Sequence, residues 1–136
     1  MRTLLADERS SVRFALRTLL ERKPGMQIVG EVASLEALLG RLRAACPDLI
    51  VCDWDLLDLV AAHRLAALRS VCPNVAVIVL SGRPEVRQAA LTAGADAFVC
   101  KTDPPGELLA VIKDRWRRKQ VQPERLAEAP GTRWMI

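Results

Sequence analysis

The sequence predicts an α/β domain in which five buried strands alternate with five amphipathic helices, forming a mostly parallel sheet wound on both sides. Three observations predict it. Short apolar runs recur without polar alternation, as strands covered on both faces require. Segments with helical spacing of apolar residues separate those runs. One helix-to-strand turn occurs twice, as "ACPDLIV" and "VCPNVAVIV", which is the mark of stacked βα units.

The strands are read at "TLLA" (3–6), "MQIVGEV" (26–32), "LIVC" (49–52), "VAVIVL" (75–80) and "AFVC" (97–100). The helical stripes are Val12, Leu16, Leu19 and Leu20, then Leu35, Leu38, Leu39 and Leu42. Leu65 with Leu68, Val86 with Ala90 and Leu91, and Leu108, Leu109, Ile112 and Trp116 complete the series. Pro24-Gly25 ends the first helix and Ser34 caps the second. Asp103-Pro104 supplies a cap with proline at the first helical position of the fifth.

A chain of 136 residues, 51% of them hydrophobic, suffices for one domain with a tail. No apolar stretch approaches the roughly 18 residues of a membrane helix, and the N-terminus shows no signal-peptide core, so a cytoplasmic protein is expected. Cys46, Cys52, Cys72 and Cys100 lack the C-x-x-C spacing of zinc or redox sites and are read as buried free thiols. The net charge of +4 is local. Up to residue 112 the chain carries 13 basic and 13 acidic side chains, and the excess lies in the seven basic against three acidic residues that follow. The bases at 115 and 117–119 suit the end of a helix, where cations favour its dipole, better than a DNA contact.

Ligands of open α/β sheets bind beyond the carboxyl ends of the strands. There, strand one ends in Asp7-Glu8, strand three in Asp53 with Asp55 close behind, strand four in Ser81 and strand five in Lys101. Carboxylates crowded at one edge raise each other's pKa unless a cation sits among them. Oxygen ligands favour a hard ion such as Mg²⁺ (or Mn²⁺), which pairs well with a phosphoryl group. An aspartate that attacks phosphorus, a metal and Lys101 that neutralise phosphoryl oxygens, and a Ser81 hydroxyl that hydrogen-bonds one of them make a Mg²⁺-assisted phosphoryl site. Singly, Asp7-Glu8 reads as a capping pair, Ser81-Gly82 as a turn and Phe98 as core; the joint occurrence carries the signal. Trp54 is read as structural, and His63, the only histidine, has no assigned role.

The order Asp7-Glu8, Asp53, Ser81, Lys101, over residues 1 to about 116, resembles the receiver domain of two-component response regulators. The opening "LLADERSSVRFALRTLLE", with "IVGE" and "AGADAFVCK", is most similar to receivers of the NarL/LuxR type. The resemblance implies a flavodoxin-like (βα)5 fold with strand order 2-1-3-4-5. It also implies phosphoryl acceptance on Asp53 from a sensor histidine kinase or a small phosphodonor. In that family pattern Glu8 and Asp53 bind Mg²⁺ directly with the main-chain carbonyl of Asp55, and Asp7 acts through water. Ser81 then moves toward the phosphoryl group and Phe98, three residues before Lys101, turns inward, so that the face around helix four, strand five and helix five reports the change. A homodimer fits the class, though no residue demands one.

The stretch "DWDLLDLVAAH" departs from the family, which places a methionine and a proline after the acceptor and a glycine a few residues on; here Leu57 and Ala61 stand near those places. A rearranged loop or an early third helix is expected, with Asp58 as that helix's cap. The departure motivates an alternative, a degenerate receiver acting as a phosphorylation-independent interaction module. "DWD" also resembles the D-x-D motif of haloacid dehalogenase-type phosphohydrolases, but the acidic pair those enzymes carry after the lysine has no strand left here. The expected organisation is a receiver at 1–119 and a basic, linker-like tail at 120–136, too short for a helix-turn-helix domain, so the chain itself is not expected to bind DNA.

Overall fold

The computed structural model describes residues 1–118, so the tail expected at 120–136 lies outside the described residues. The elements alternate as expected: β1 (Arg2–Ala6), α1 (Ser10–Leu20), β2 (Gln27–Val32), α2 (Leu35–Ala44), β3 (Leu49–Asp53), α3 (Ala61–Val71), β4 (Ala76–Ser81), α4 (Arg87–Ala93) and β5 (Ala97–Cys100). A fifth helix, α5, runs from 105 to 118. All neighbouring strands pair in parallel, in the order β2-β1-β3-β4-β5.

The unbroken apolar runs are explained by burial on both faces. Alternate residues of β1 and β3 point to opposite sides: Leu4 and Ile50 join one core with α2, α3 and α4, while Leu5, Leu49 and Val51 join another with α1 and α5. Every residue of β3 is buried. Each fully buried Leu or Ile contributes about 1.5–3 kcal/mol relative to exposure, so this strand is fixed in register, and with it the position of Asp53.

Ser34 caps α2 as expected, its Oγ accepting from the Ala37 N–H at 3.1 Å. Gly94 ends α4 with φ +116°, a left-handed conformation that costs other residues, and its N–H donates to the carbonyls of Ala90 and Leu91. Asp96 follows at the foot of β5. Its carboxylate accepts from the Val77 N–H and the Arg69 guanidinium, both at 2.8 Å, and its carbonyl accepts from Arg115 of α5 at 2.7 Å.

Three expectations are corrected. Asp58 does not cap α3: it sits at φ +52°, makes no capping hydrogen bond, and lies within two short 3-10 turns (54–56 and 58–60) that lead directly into the helix. Asp tolerates the left-handed region better than most residues, so this chain turns there without the missing glycine, while Leu56 and Leu57 bury inward and Arg64 donates to the Leu56 carbonyl at 2.6 Å. At α5 the helix starts one residue later than read, with Pro105 at the first helical position, and the Asp103 carboxylate instead accepts from the Cys100 N–H at 3.2 Å. The cysteines are not all free thiols. Cys46 and Cys72 form a disulfide, whereas Cys52 and Cys100 are free and buried. The strand order makes β3 and β4 neighbours, so the two repeated helix-to-strand turns that precede them lie side by side and bring their cysteines together.

Candidate functional site

The carboxyl ends of β1, β3, β4 and β5 bring Asp7, Asp53, Ser81 and Lys101 to one edge of the sheet. The register is tight: Asp53 pairs with Leu80 and Ser81 with Cys100, and the Lys101 N–H donates to the Ser81 carbonyl at 2.8 Å. Among the described residues, Asp7, Asp53 and Ser81 are, with Thr3, the buried polar ones. Buried charges persist only when paired, and here one side chain does the pairing. The Lys101 ammonium donates to Asp7 Oδ2 at 2.9 Å and to Asp53 Oδ1 at 2.5 Å.

The remaining oxygens are held by the loops. Asp7 Oδ1 accepts from the Arg9 N–H at 2.8 Å and Asp53 Oδ2 from the Asp55 N–H at 3.1 Å. Ser81 Oγ accepts from the Arg83 N–H at 3.1 Å, so its own proton is available to another acceptor. Burial pushes the Asp53 carboxyl above the usual aspartate range, and the hydrogen bond and charge of Lys101 pull it back only in part. Burial works against the Lys101 ammonium as well, but its hydrogen bonds to Asp53 and Asp7 outweigh that and hold its pKa above the ordinary lysine value. The lysine is therefore fully charged at neutral pH.

Glu8 and Asp55 are exposed at the rim, and Asp55 forms an ion pair with Arg83 at 3.4 Å. Among the described residues no three His, Cys, Asp or Glu side chains gather around one point. Mg²⁺ does not need three, because it keeps several waters and is bound through one or two carboxylates and a phosphate. Two buried carboxylates sharing one ammonium leave a net negative charge at the sheet edge, and the oxygen-only donors expected there, Asp7, Glu8, Asp53 and the Asp55 carbonyl, are of the kind that suits a hard cation. The residues fit the ion.

Phe98 is buried, with the Arg87 guanidinium 4.9 Å from its ring centroid and Arg87 Nη1 donating to its carbonyl at 3.3 Å. The aromatic already points inward, and α4 holds it there. Trp54 is buried beside Asp53, and His63 is exposed on α3. Arg83 and Arg87 are the residues near the site that sequence reasoning passed over. Arg83 carried a signal, since it follows Ser81-Gly82 directly; Arg87 carried none, because a long side chain's direction depends on the packed neighbour.

Residues 3–113 match the family model of the response regulator receiver domain. The chain is 32% identical over 114 residues to BvgA of Bordetella pertussis, a putative positive transcription regulator of virulence factors, covering 82% of this chain and 54% of that one. It is 31% identical over 110 residues to the probable transcriptional regulatory protein SgaR of Hyphomicrobium methylovorum, covering 79% and 52%. The chain thus spans about half the length of the curated relatives it matches. Among solved structures, a LuxR-family two-component response regulator from Aurantimonas sp. superposes with a TM-score of 0.74 at 27% identity, covering 83% of this chain and 82% of that one. The signal receiver domain of a putative NarL from Mycobacterium tuberculosis gives 0.72 at 25%, covering 83% and 93%. The receiver model, rather than the dehalogenase alternative, accounts for the sheet and its strand ends. A match over most of its length, with relatives of the NarL/LuxR kind, makes the chain a member of the response regulator receiver family of two-component signalling.

Proposed function

We propose that Asp53 accepts a phosphoryl group from a sensor histidine kinase, in the cytoplasm, with Mg²⁺ (or Mn²⁺) bound beside it, and that the chain signals through altered protein contacts rather than by turnover as an enzyme. The observation that carries this reading is the Lys101 ammonium bridging the buried carboxylates of Asp7 and Asp53. A carboxylate kept buried and only half neutralised is a poor structural element and a good acceptor.

In the proposed step an Asp53 carboxylate oxygen forms the new bond to phosphorus while the phosphorus–nitrogen bond of the donor breaks, the electron pair leaving with nitrogen. Lys101 stays beside the acyl phosphate as its fixed countercharge. Ser81 turns its free O–H toward a phosphoryl oxygen. When bound, Mg²⁺ would neutralise charge on the phosphoryl oxygens; Glu8, Asp53 and the Asp55 carbonyl would hold it directly, with Asp7 acting through water. Phe98 and the α4–β5–α5 face carry the change outward.

Intact-protein mass after incubation with Mg²⁺ and acetyl phosphate tests the reading. One added phosphoryl group is expected, lost in Asp53→Ala. Absence of the gain, with Mg²⁺ binding shown by a change in Trp54 fluorescence, would favour a phosphorylation-independent interaction module, for which the altered turn through Asp58 is the structural motive.

A further inference from the structure

The amino end of the sheet carries chemistry that the phosphoryl site does not use. We propose that Cys46 and Cys72 form a reversible thiol–disulfide site, at which Cys46 exchanges with low-molecular-weight thiols and disulfides and Cys72 resolves the mixed disulfide.

The placement argues for it. Cys46 lies in the turn from α2 to β3 and Cys72 at the end of α3, and their Cα atoms are 5.7 Å apart, within the span a disulfide bridges. The two residues differ in access: Cys46 is exposed, while Cys72 is 1% exposed. An external thiol or disulfide therefore reaches Cys46 first. The same packing also accommodates the reduced pair. Cys46 Sγ lies 3.6 Å from the Val71 carbonyl and Cys72 Sγ 3.8 Å from that of Leu42, so each thiol has a carbonyl acceptor close by once reduction lets the sulfurs move apart. The other two cysteines are shielded. Cys52 and Cys100 are both buried, Cys100 against Thr102.

The exchange balances with a small disulfide as oxidant. The Cys46 thiolate attacks it and releases one small thiolate; the Cys72 thiolate then attacks the Cys46 sulfur and releases the second, so two protein thiols are oxidised as one small disulfide is reduced. The bond closes a covalent loop, over a sequence separation of 26, that contains β3, Asp53 and α3.

The test equilibrates the full chain in mixtures of reduced and oxidised glutathione, quenches with acid, unfolds and alkylates. As the oxidised share rises, alkylated thiols are expected to fall from all four cysteines to two, with a Cys46–Cys72 link in the peptide map. Cys72→Ser should accumulate glutathione on Cys46, whereas Cys46→Ser should gain none on Cys72. A link between other cysteines, a bond that excess reduced glutathione leaves intact in the folded chain, or glutathione preferring Cys72 would overturn the proposal. The wild-type arms decide the outcome even where a variant fails to fold.

Discussion

At the carboxyl end of the sheet two buried aspartates share a single lysine. At the amino end Asp96 alone has the guanidinium groups of Arg69 and Arg115 and a main-chain donor, and a covalent bond ties the turns beside it. Both ends close the same parallel sheet, yet one is undercompensated in charge and the other fully compensated. The contrast separates charged groups that brace a fold from charged groups that change state. Unmatched buried charge marks where an ion and a phosphoryl group are taken up, and matched charge marks where the structure is anchored.

The amino end should be the more costly to loosen. Reducing the Cys46–Cys72 bond, or replacing Cys72 by Ser, should lower stability by about 3.5 kcal/mol on the chain-entropy argument and the Tm by roughly 10 °C or more, as read by thermal denaturation with and without reductant. Acceptance of phosphate by Asp53 should be unchanged at temperatures well below that midpoint; a parallel loss would mean that the two ends are not independent.

The carboxyl end should respond to charge. Lys101→Met should cost about 3 kcal/mol, because it leaves two buried carboxylates without their shared cation, and added Mg²⁺ should restore more stability to this variant than to the wild type. The sign with pH follows from the raised folded pKa. The lysine's contribution is complete below the unfolded lysine value of 10.5 and is lost as pH rises through the higher folded value. Denaturant melts on either side of that window should show the slope in the wild type and not in Lys101→Met.

Smaller effects test the links between the ends. Arg87→Ala should cost about 1 kcal/mol and release Phe98, measurable as faster ring flipping in NMR spectra, without abolishing phosphoryl acceptance. Glu31, paired with Arg17 at 2.6 Å and Arg13 at 3.2 Å, has a carboxyl held below the usual glutamate range chiefly by the Arg17 hydrogen bond. It contributes above the unfolded value of 4.5 and ceases to as pH falls through the lowered folded one. Glu31→Gln should therefore cost at most about 1 kcal/mol at neutral pH and nothing in acid, by chemical denaturation at both pH values.

The strands were legible because burial on both faces leaves unbroken apolar runs, and the site was legible because strand order brings distant positions to one edge. Asp7, Asp53, Ser81 and Lys101 meet there, as their places in the repeat implied. What escaped reading depends on contacts across elements. The Cys46–Cys72 bond follows from β3 and β4 being neighbours, and the clue was the repeated Cys-Pro turn rather than a C-x-x-C motif. Asp58 adopts a left-handed turn because Leu56 and Leu57 are drawn inward, which its own identity does not announce. Arg87 finds Phe98 only once α4 lies against β5.

The ties at Asp96 have a mechanical consequence. β5 is only four residues long, about 13 Å, and its lower end is clamped to β4, α3 and α5 through Asp96 while its upper end carries Lys101. Paired with β4 along its whole length and fastened again at Asp96, β5 has no freedom to slide, and Arg115 ties α5 to the same fixed end.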